Sequence, residues 1–433
     1  MNQGTREVVY WSGPAPRRVS VVVAGAGARG GYEAGVLSVL VPRLRGAGVE
    51  VVDFVGTSAG AINATIFAAL AHLPAEQQAR RALRVWRGIT VSDVFRSPSI
   101  GLPRLAGSAA GQFLHIPGVQ LTHLLDTAPL RRTAERVVDW KSLRANIDSG
   151  ITTLAVVATS GADNRTVVFV DRADRTSLPQ TDDERPIDYV SAEITAEHVL
   201  ASAAIPIAFP PVHVSDPRRA GWYLDGGIRL NAPLKPAIAL GTDAIAMVAT
   251  HPVVDATTSA PADERPIDVD DVVVRLMDAA LVDRMIEDMR TLDKVNMLVD
   301  GTESTTATGR PRQVIPFFPI TPPARKTLGD LAEKVFAARH HRRGGILPAL
   351  RQAELRMLGR VLGGDGPRRG DLFSYLYFDN EFIEASIELG RRDAHAALDA
   401  SPSHHLPWQI GTRIRSTEDR GIVVSDDHAA EPV

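Results

Sequence analysis

The arrangement that most restricts how this chain can fold is an apolar run, a glycine-rich turn and a helical stretch, delivered twice in succession. Residues 19–24 (VSVVVA) are continuous and β-branched, as in a strand covered on both faces. Glycines crowd 25–31, and Leu37, Leu40, Val41 and Leu44 then recur at helical spacing across 32–45. A second run at 49–55 (VEVVDFV) leads through a turn at 56–60 into an alanine-rich helical stretch at 61–73. Strands separated by helices lie parallel and are joined by right-handed crossovers, with the helices packed on the sheet. An α/β fold is expected.

Further along, residues 1–17 read as an irregular lead-in and 91–121 as an irregular, partly apolar excursion. Residues 151–159 and 166–170 read as strands of a hairpin, with a polar loop over 171–186. A short helix is expected over 195–203, capped by Thr195 with Glu193 and Glu197 near its positive end. Residues 221–224, 244–250 and 314–320 read as strands, and 252–266 as a loop. Helical patterns cover 270–299, 328–338, 347–362 and 381–398, before a polar tail.

With 433 residues, 44% apolar and 23% charged, the chain has material for a large core and is not disordered. Length alone allows about three domains or one large α/β domain with insertions. The net charge of −3 gives no reason to expect a nucleic-acid partner. A lack of cysteine excludes disulfides, thiolate metal sites and cysteine nucleophiles. Residues 1–23 carry no basic stretch followed by an apolar one, and no run of about 18 apolar residues occurs. The expectation is a cytoplasmic protein, able to visit a membrane surface peripherally.

Three stations carry chemistry. Gly56-Thr57-Ser58-Ala59-Gly60 is a G-x-S-x-G between an expected strand and an expected helix. A nucleophilic serine on such a turn takes strained backbone angles, and small neighbours let strand and helix approach. Such pentapeptides also arise by chance among 35 glycines; the flanking elements favour the functional reading. Gly25-Ala26-Gly27-Ala28-Arg29-Gly30 is a G-x-G-x-x-G, the spacing of a dinucleotide fingerprint. That use needs an acidic residue at the end of the next strand, and Asp53 lies inside it. The other use offers backbone N–H groups to an oxyanion, and adjacent parallel strands would bring this turn beside Ser58.

Asp225-Gly226-Gly227 closes the strand at 222–224, with Asn231 and Pro233 following. Asp-Gly is commonly only a turn, but a serine nucleophile needs a base. Among the histidines, His251 follows Asp225 after a buried strand, as the order of a Ser-Asp-His triad requires, and His198 and His213 are further candidates. The paired histidines at 340–341 and 404–405 lack metal-ligand spacing, and no H-E-x-x-H occurs. The residues alone leave His251 open.

Together GAGARG (25–30), GTSAG (56–60) and DGG (225–227) resemble the patatin-like phospholipase family. ASAAIPIAFPPV (201–212) and YLDGGIRLNAP (223–233) are similar to the family's segments before and through the aspartate, and SYLYFDNEFIEASIELG (374–390) looks like a C-terminal segment of bacterial members. The resemblance implies a three-layer α/β/α fold with a central, mostly parallel sheet, its core at 17–250. A helical extension (251–400) would pack on that core, with 401–433 as a flexible tail. It implies hydrolysis of fatty-acyl esters of phospholipids or lysophospholipids, without cofactor or metal, through an acyl-Ser58 intermediate. Asp225 would take the proton directly, and amides around Ala26, Gly27 and Ala28 would hold the oxyanion. Ala26 stands where members often have glycine. Arg29 would steady the turn or meet a lipid phosphate, beside the plainer reading of a surface arginine. No D-x-D-x-D-G calcium loop is present.

Three rivals stand beside this reading: a histidine triad esterase, a catalytically silent lipid-binding module and an NAD(P)-binding protein. The excursion at 91–121 is a lid, a docking surface or, more simply, a buried insertion. Arg80, Arg81, Arg84 and Arg87 beside Trp86, and the basic run at 339–343, are either headgroup contacts or solvated faces. Methionines 277, 285, 289 and 297 read as core filler.

Overall fold

The computed structural model describes residues 5–96, 125–176, 178–253, 275, 279–300, 313–342, 369–400 and 406–415. Its strands are β1 (Thr5–Tyr10), β2 (Arg18–Val23), β3 (Val51–Thr57), β4 (Leu154–Ser160), β5 (Thr166–Asp171), β6 (Ile187–Ser191), β7 (Val212–Val214), β8 (Gly221–Asp225), β9 (Ala244–Val248), β10 (Phe317–Ile320) and β11 (Gln409–Arg415). They form one sheet in the order β1-β11-β10-β9-β2-β3-β4-β5-β6, with β8 bridging β4 and β7. The five central strands, β10 to β4, run parallel. Antiparallel pairs flank them: β4 with β5 and β8 on one side, β10 with β11 and β11 with β1 on the other.

Alternation along the strands fills two separate cores. Val19, Val21, Val23, Phe54 and Val156 face one way; Val22, Val55, Val157, Ile245 and Met247 face the other. On the first face pack α1 (Gly30–Gly46) and α2 (Ala59–Ala69), with α3 (Ala75–Gly88) beside them. Helix α4 (Ala196–Ser202) packs there as well. The second face is covered by residues 230–240 and by α5 (Arg284–Val299), through Leu230, Leu234, Met285, Met289 and Leu292. The result is three layers. Met285 and Met289 are core, as expected, while Met277 lies outside the described residues.

The C-terminal helices α6 (Thr327–Arg342), α7 (Arg369–Leu376) and α8 (Asn380–Asp399) join the first face. Helices α1 and α8 touch main chain to main chain. A Cβ on Gly35 would fall 2.2 Å from the Ile387 carbonyl oxygen, and one on Gly390 would fall 2.1 Å from that of Tyr32. Only glycine permits that separation.

Two expectations are corrected. Residues 5–10, read as irregular lead-in, and 409–415, placed in a flexible tail, are the paired strands β1 and β11. Trp408 and Ile410 are buried, Trp408 against Phe318 with ring centroids 4.6 Å apart. Residues 187–191 and 212–214 add strands that the sequence pattern did not announce. Within 91–121, Val91–Val94 is a short helix; the rest of the excursion from 97, the expected helix at 347–362 and residues 416–433 lie outside the described residues. Arg80, Arg81 and Arg84 are exposed on α3, and Arg87 pairs with Glu384 at 2.7 Å, while Trp86 turns inward. Among the described residues no helix is long and apolar enough to cross a membrane.

Candidate active site

The register of β4 brings the site together. Its partner β3 ends with Thr57 opposite Val157, and β8, running the other way, begins pairing at the next position with Asp225 opposite Ala158. Ser58 therefore leaves the sheet where Asp225 arrives. At this elbow Ser58 has φ 56° and ψ −127°, a conformation L-residues rarely adopt and one that costs on the order of 1–3 kcal/mol. Its N–H donates to Ser202 Oγ at 2.9 Å, and its carbonyl accepts from Ala61 N at 2.9 Å. Ser202 in turn donates to the Val157 carbonyl at 2.5 Å, tying the elbow to β4 through the end of α4. The flanking glycines are steric necessities: a Cβ on Gly56 would lie 2.4 Å from the Gly60 carbonyl oxygen.

Ser58 Oγ donates directly to Asp225 Oδ2 at 2.5 Å. Asp225 Oδ1 accepts from Gly227 N at 2.7 Å, so the carboxylate is gripped from both ends. A Cβ on Gly226 would lie 2.3 Å from the Val157 carbonyl oxygen, which explains a small residue after the aspartate. Burial pushes the Asp225 carboxyl up to about 7, against the opposing pull of its bonds to Ser58 and Gly227. A carboxylate so placed is a far better proton acceptor at neutral pH than an exposed one.

The glycine turn lies beside this pair because β2 and β3 are parallel neighbours, with Val23 opposite Gly56. A Cβ on Gly25 would meet Ser58 Cβ at 3.0 Å and Asn231 Oδ1 at 2.5 Å. Asn231 accepts from Gly25 N at 2.9 Å and donates to the Leu281 carbonyl at 3.0 Å, bracing the start of the turn. Residues Gly27–Arg29 form one turn of 3-10 helix that passes into α1 at Gly30, with Gly27 at φ +56°. Among the described residues no acceptor takes the N–H groups of Ala26, Gly27 or Ala28. Such unpaired amides can stabilise an anion.

Arg29 is neither a surface arginine nor open to a lipid phosphate: it is fully buried. Its Nη1 lies 3.2 Å from His251 Nε2, and burial together with the Arg29 charge drives the His251 pKa well below its usual value. The neutral ring accepts from the guanidinium. Among the described residues, no imidazole hydrogen-bonds to Ser58 or Asp225. His198 caps α4, taking the Thr195 N–H on Nδ1 at 3.2 Å, and exposed His213 sits edge-on to Trp222. Asp53 is buried and bonded to Arg18 at 2.6 Å, out of reach of a ribose at the strand's end. Among the described residues no cluster of three or more histidines and carboxylates is set to hold a metal ion.

Sequence reasoning missed Ser202 and the contacts of Arg29. The serine in ASAAIP had no motif to mark it, and the partners of Arg29 lie 222 (His251), 342 (Asp371) and 345 (Ser374) residues away.

Fold and site together define an α/β protein in which a G-x-S-x-G elbow joins a parallel strand of the sheet to the helix that follows it. The family described as patatin-like phospholipase matches residues 21–238, half of the chain, and the chain belongs to that family. Membership makes it a lipid hydrolase. Among solved structures it is similar to VipD from Legionella pneumophila, at 13% identity and a TM-score of 0.31, over 89% of this chain and 71% of that one. It is also similar to the ExoU–SpcU complex of the Pseudomonas aeruginosa type III secretion system, at 14% identity and a TM-score of 0.25, over 92% and 82%. No curated protein matches the chain.

Proposed function

We propose that this protein hydrolyses fatty-acyl esters of phospholipids or lysophospholipids through an acyl-Ser58 intermediate, using a Ser-Asp dyad. The observation that carries the reading is the direct 2.5 Å bond from Ser58 Oγ to a buried Asp225 whose pKa sits at about 7. As Oγ attacks the ester carbonyl, Asp225 takes its proton, and the negative charge on the carbonyl oxygen falls to the amides of Ala26, Gly27 and Ala28. Collapse expels the alcohol, which receives the proton back from Asp225. Water, activated by the same carboxylate, then releases the fatty acid. One oxyanion donor in a serine hydrolase contributes roughly 3 kcal/mol, so the turn carries much of the rate.

The test is labelling by a fluorophosphonate followed by fatty-acid release from phospholipid and lysophospholipid vesicles. Wild type should label once and release acid; Ser58→Ala should do neither. Vesicle binding without labelling or release would instead identify a silent lipid-binding module.

The histidine variant separates dyad from triad. His251→Gln keeps an acceptor for Arg29 and should retain turnover within about tenfold of wild type, whereas loss of a triad histidine costs roughly 10⁴–10⁶-fold. Steady-state kinetics on a soluble ester decide it.

A further inference from the structure

We propose that α7 is the positioning element of the glycine turn, and that Ser374 and Asp371 aim its amides by gripping Arg29. The inference rests on the reading of that turn as the oxyanion site. Arg29 closes the turn, directly after Ala28, and exposes none of its surface. Its Nε donates to Ser374 Oγ at 2.8 Å, and its Nη2 donates to the Asp371 carbonyl at 2.9 Å and to Oδ1 at 3.2 Å. With Nη1 on His251, every nitrogen of the guanidinium is engaged, and the Tyr375 ring lies 4.2 Å from its central carbon.

The acceptors are themselves held. Ser374 Oγ donates to the Asp371 carbonyl at 2.7 Å, which points its lone pairs at Arg29 Nε. The main chain of α7 also presses on the turn: a Cβ on Gly27 would fall 2.4 Å from the Tyr375 carbonyl oxygen. So the left-handed residue at the centre of the turn has α7 at its back, and the residue that ends the turn is pinned to the same helix. An arginine fork is rigid and directional, and a buried one is costly compared with apolar packing of similar volume. Its use here fits a demand for geometry rather than for stability.

The experiment uses the full chain with Ser374→Ala, Asp371→Ala and Asp371→Asn. Thermal melts set an assay temperature at which each variant is folded. The readouts are kcat and KM on a soluble p-nitrophenyl ester and the second-order rate of fluorophosphonate labelling. A small misplacement of catalytic groups costs up to about 100-fold, so Ser374→Ala and Asp371→Ala should lose roughly 10- to 100-fold in kcat and in labelling, with KM within about twofold. Asp371→Asn, which keeps an oxygen acceptor, should recover most of that loss. If Ser374→Ala does not fold, the Asp371 pair decides alone, since Asp371→Asn keeps the shape of the side chain and Asp371→Ala leaves the Arg29 bond to the Asp371 carbonyl in place. Folded variants that label and turn over at the wild-type rate, or that change KM alone, overturn the inference. Wild-type protein that neither labels nor turns over overturns the proposed function itself.

Discussion

Asp225→Asn is expected to lose roughly 10⁴- to 10⁶-fold in kcat while becoming more stable above neutral pH, the loss being that of a serine hydrolase deprived of its general base. Asparagine can still accept the Ser58 hydroxyl hydrogen bond, but it cannot take the proton. The stability change follows from linkage. The folded carboxyl has its pKa raised from 3.8 to about 7 by burial, so its contribution to stability is complete below about pH 4 and is lost as pH rises through 7. Asparagine has no charge to bury and escapes that loss. The shift corresponds to at most about 4 kcal/mol, reduced because the amide cannot satisfy both Ser58 and the Gly227 N–H as the carboxylate does. Melts at pH 4 and pH 8.5 would show it: little gain at the first, the full gain at the second. Wild-type kcat/KM should rise with pH through about 7, because only the ionised carboxylate accepts the proton. A flat profile between pH 5.5 and 8.5 would contradict the assigned role.

Gly60→Ala is expected to cost roughly 3 kcal/mol, the upper end for overpacking a core, and to abolish activity with it. The added carbon would stand 2.3 Å from the Val23 carbonyl oxygen and 2.4 Å from that of Ala24. Both belong to main chain leaving β2 in the middle of the sheet, so neither can swing aside. Helix α2 must lift, and Ser58 lifts with it, away from Asp225. Gly46→Ala at the end of α1 is the matched control, since nothing lies within 4 Å of its new carbon. Thermal melts and labelling of both variants give the comparison: several degrees lost and no labelling for the first, little change for the second.

The central parallel strands, and Ser58 and Asp225 taken singly, were legible because each has a local signature; that the two pair directly was implied only by the family resemblance. A β-branched run marks a buried strand, and the glycines around Ser58 and Asp225 record close approaches of main chain that only short-range sequence has to permit. Edge strands leave a weaker trace. Strands β1 and β11 carry Arg, Glu, Thr and Gln between their apolar residues, and neither has a purpose until the other pairs with it. Arg29 was unreadable for a different reason: an arginine after a glycine turn looks the same whether it meets solvent, a phosphate or a buried helix. Its burial is decided by α7, and nothing near residue 29 announces that helix. Ser202 likewise matters only through the register that sets α4 beside β4.

The 342 to 345 residues between Arg29 and its anchors on α7 have a temporal meaning. At ribosomal speeds of roughly 5–20 residues per second, the opening loop must wait some 20 to 70 seconds for the helix that completes it. Until then the guanidinium lacks its Ser374 and Asp371 acceptors, and the turn lacks the helix that packs behind Gly27. On the proposed role of α7, a nascent chain reaches its full rate only after residues 371–374 have been made and packed against the turn.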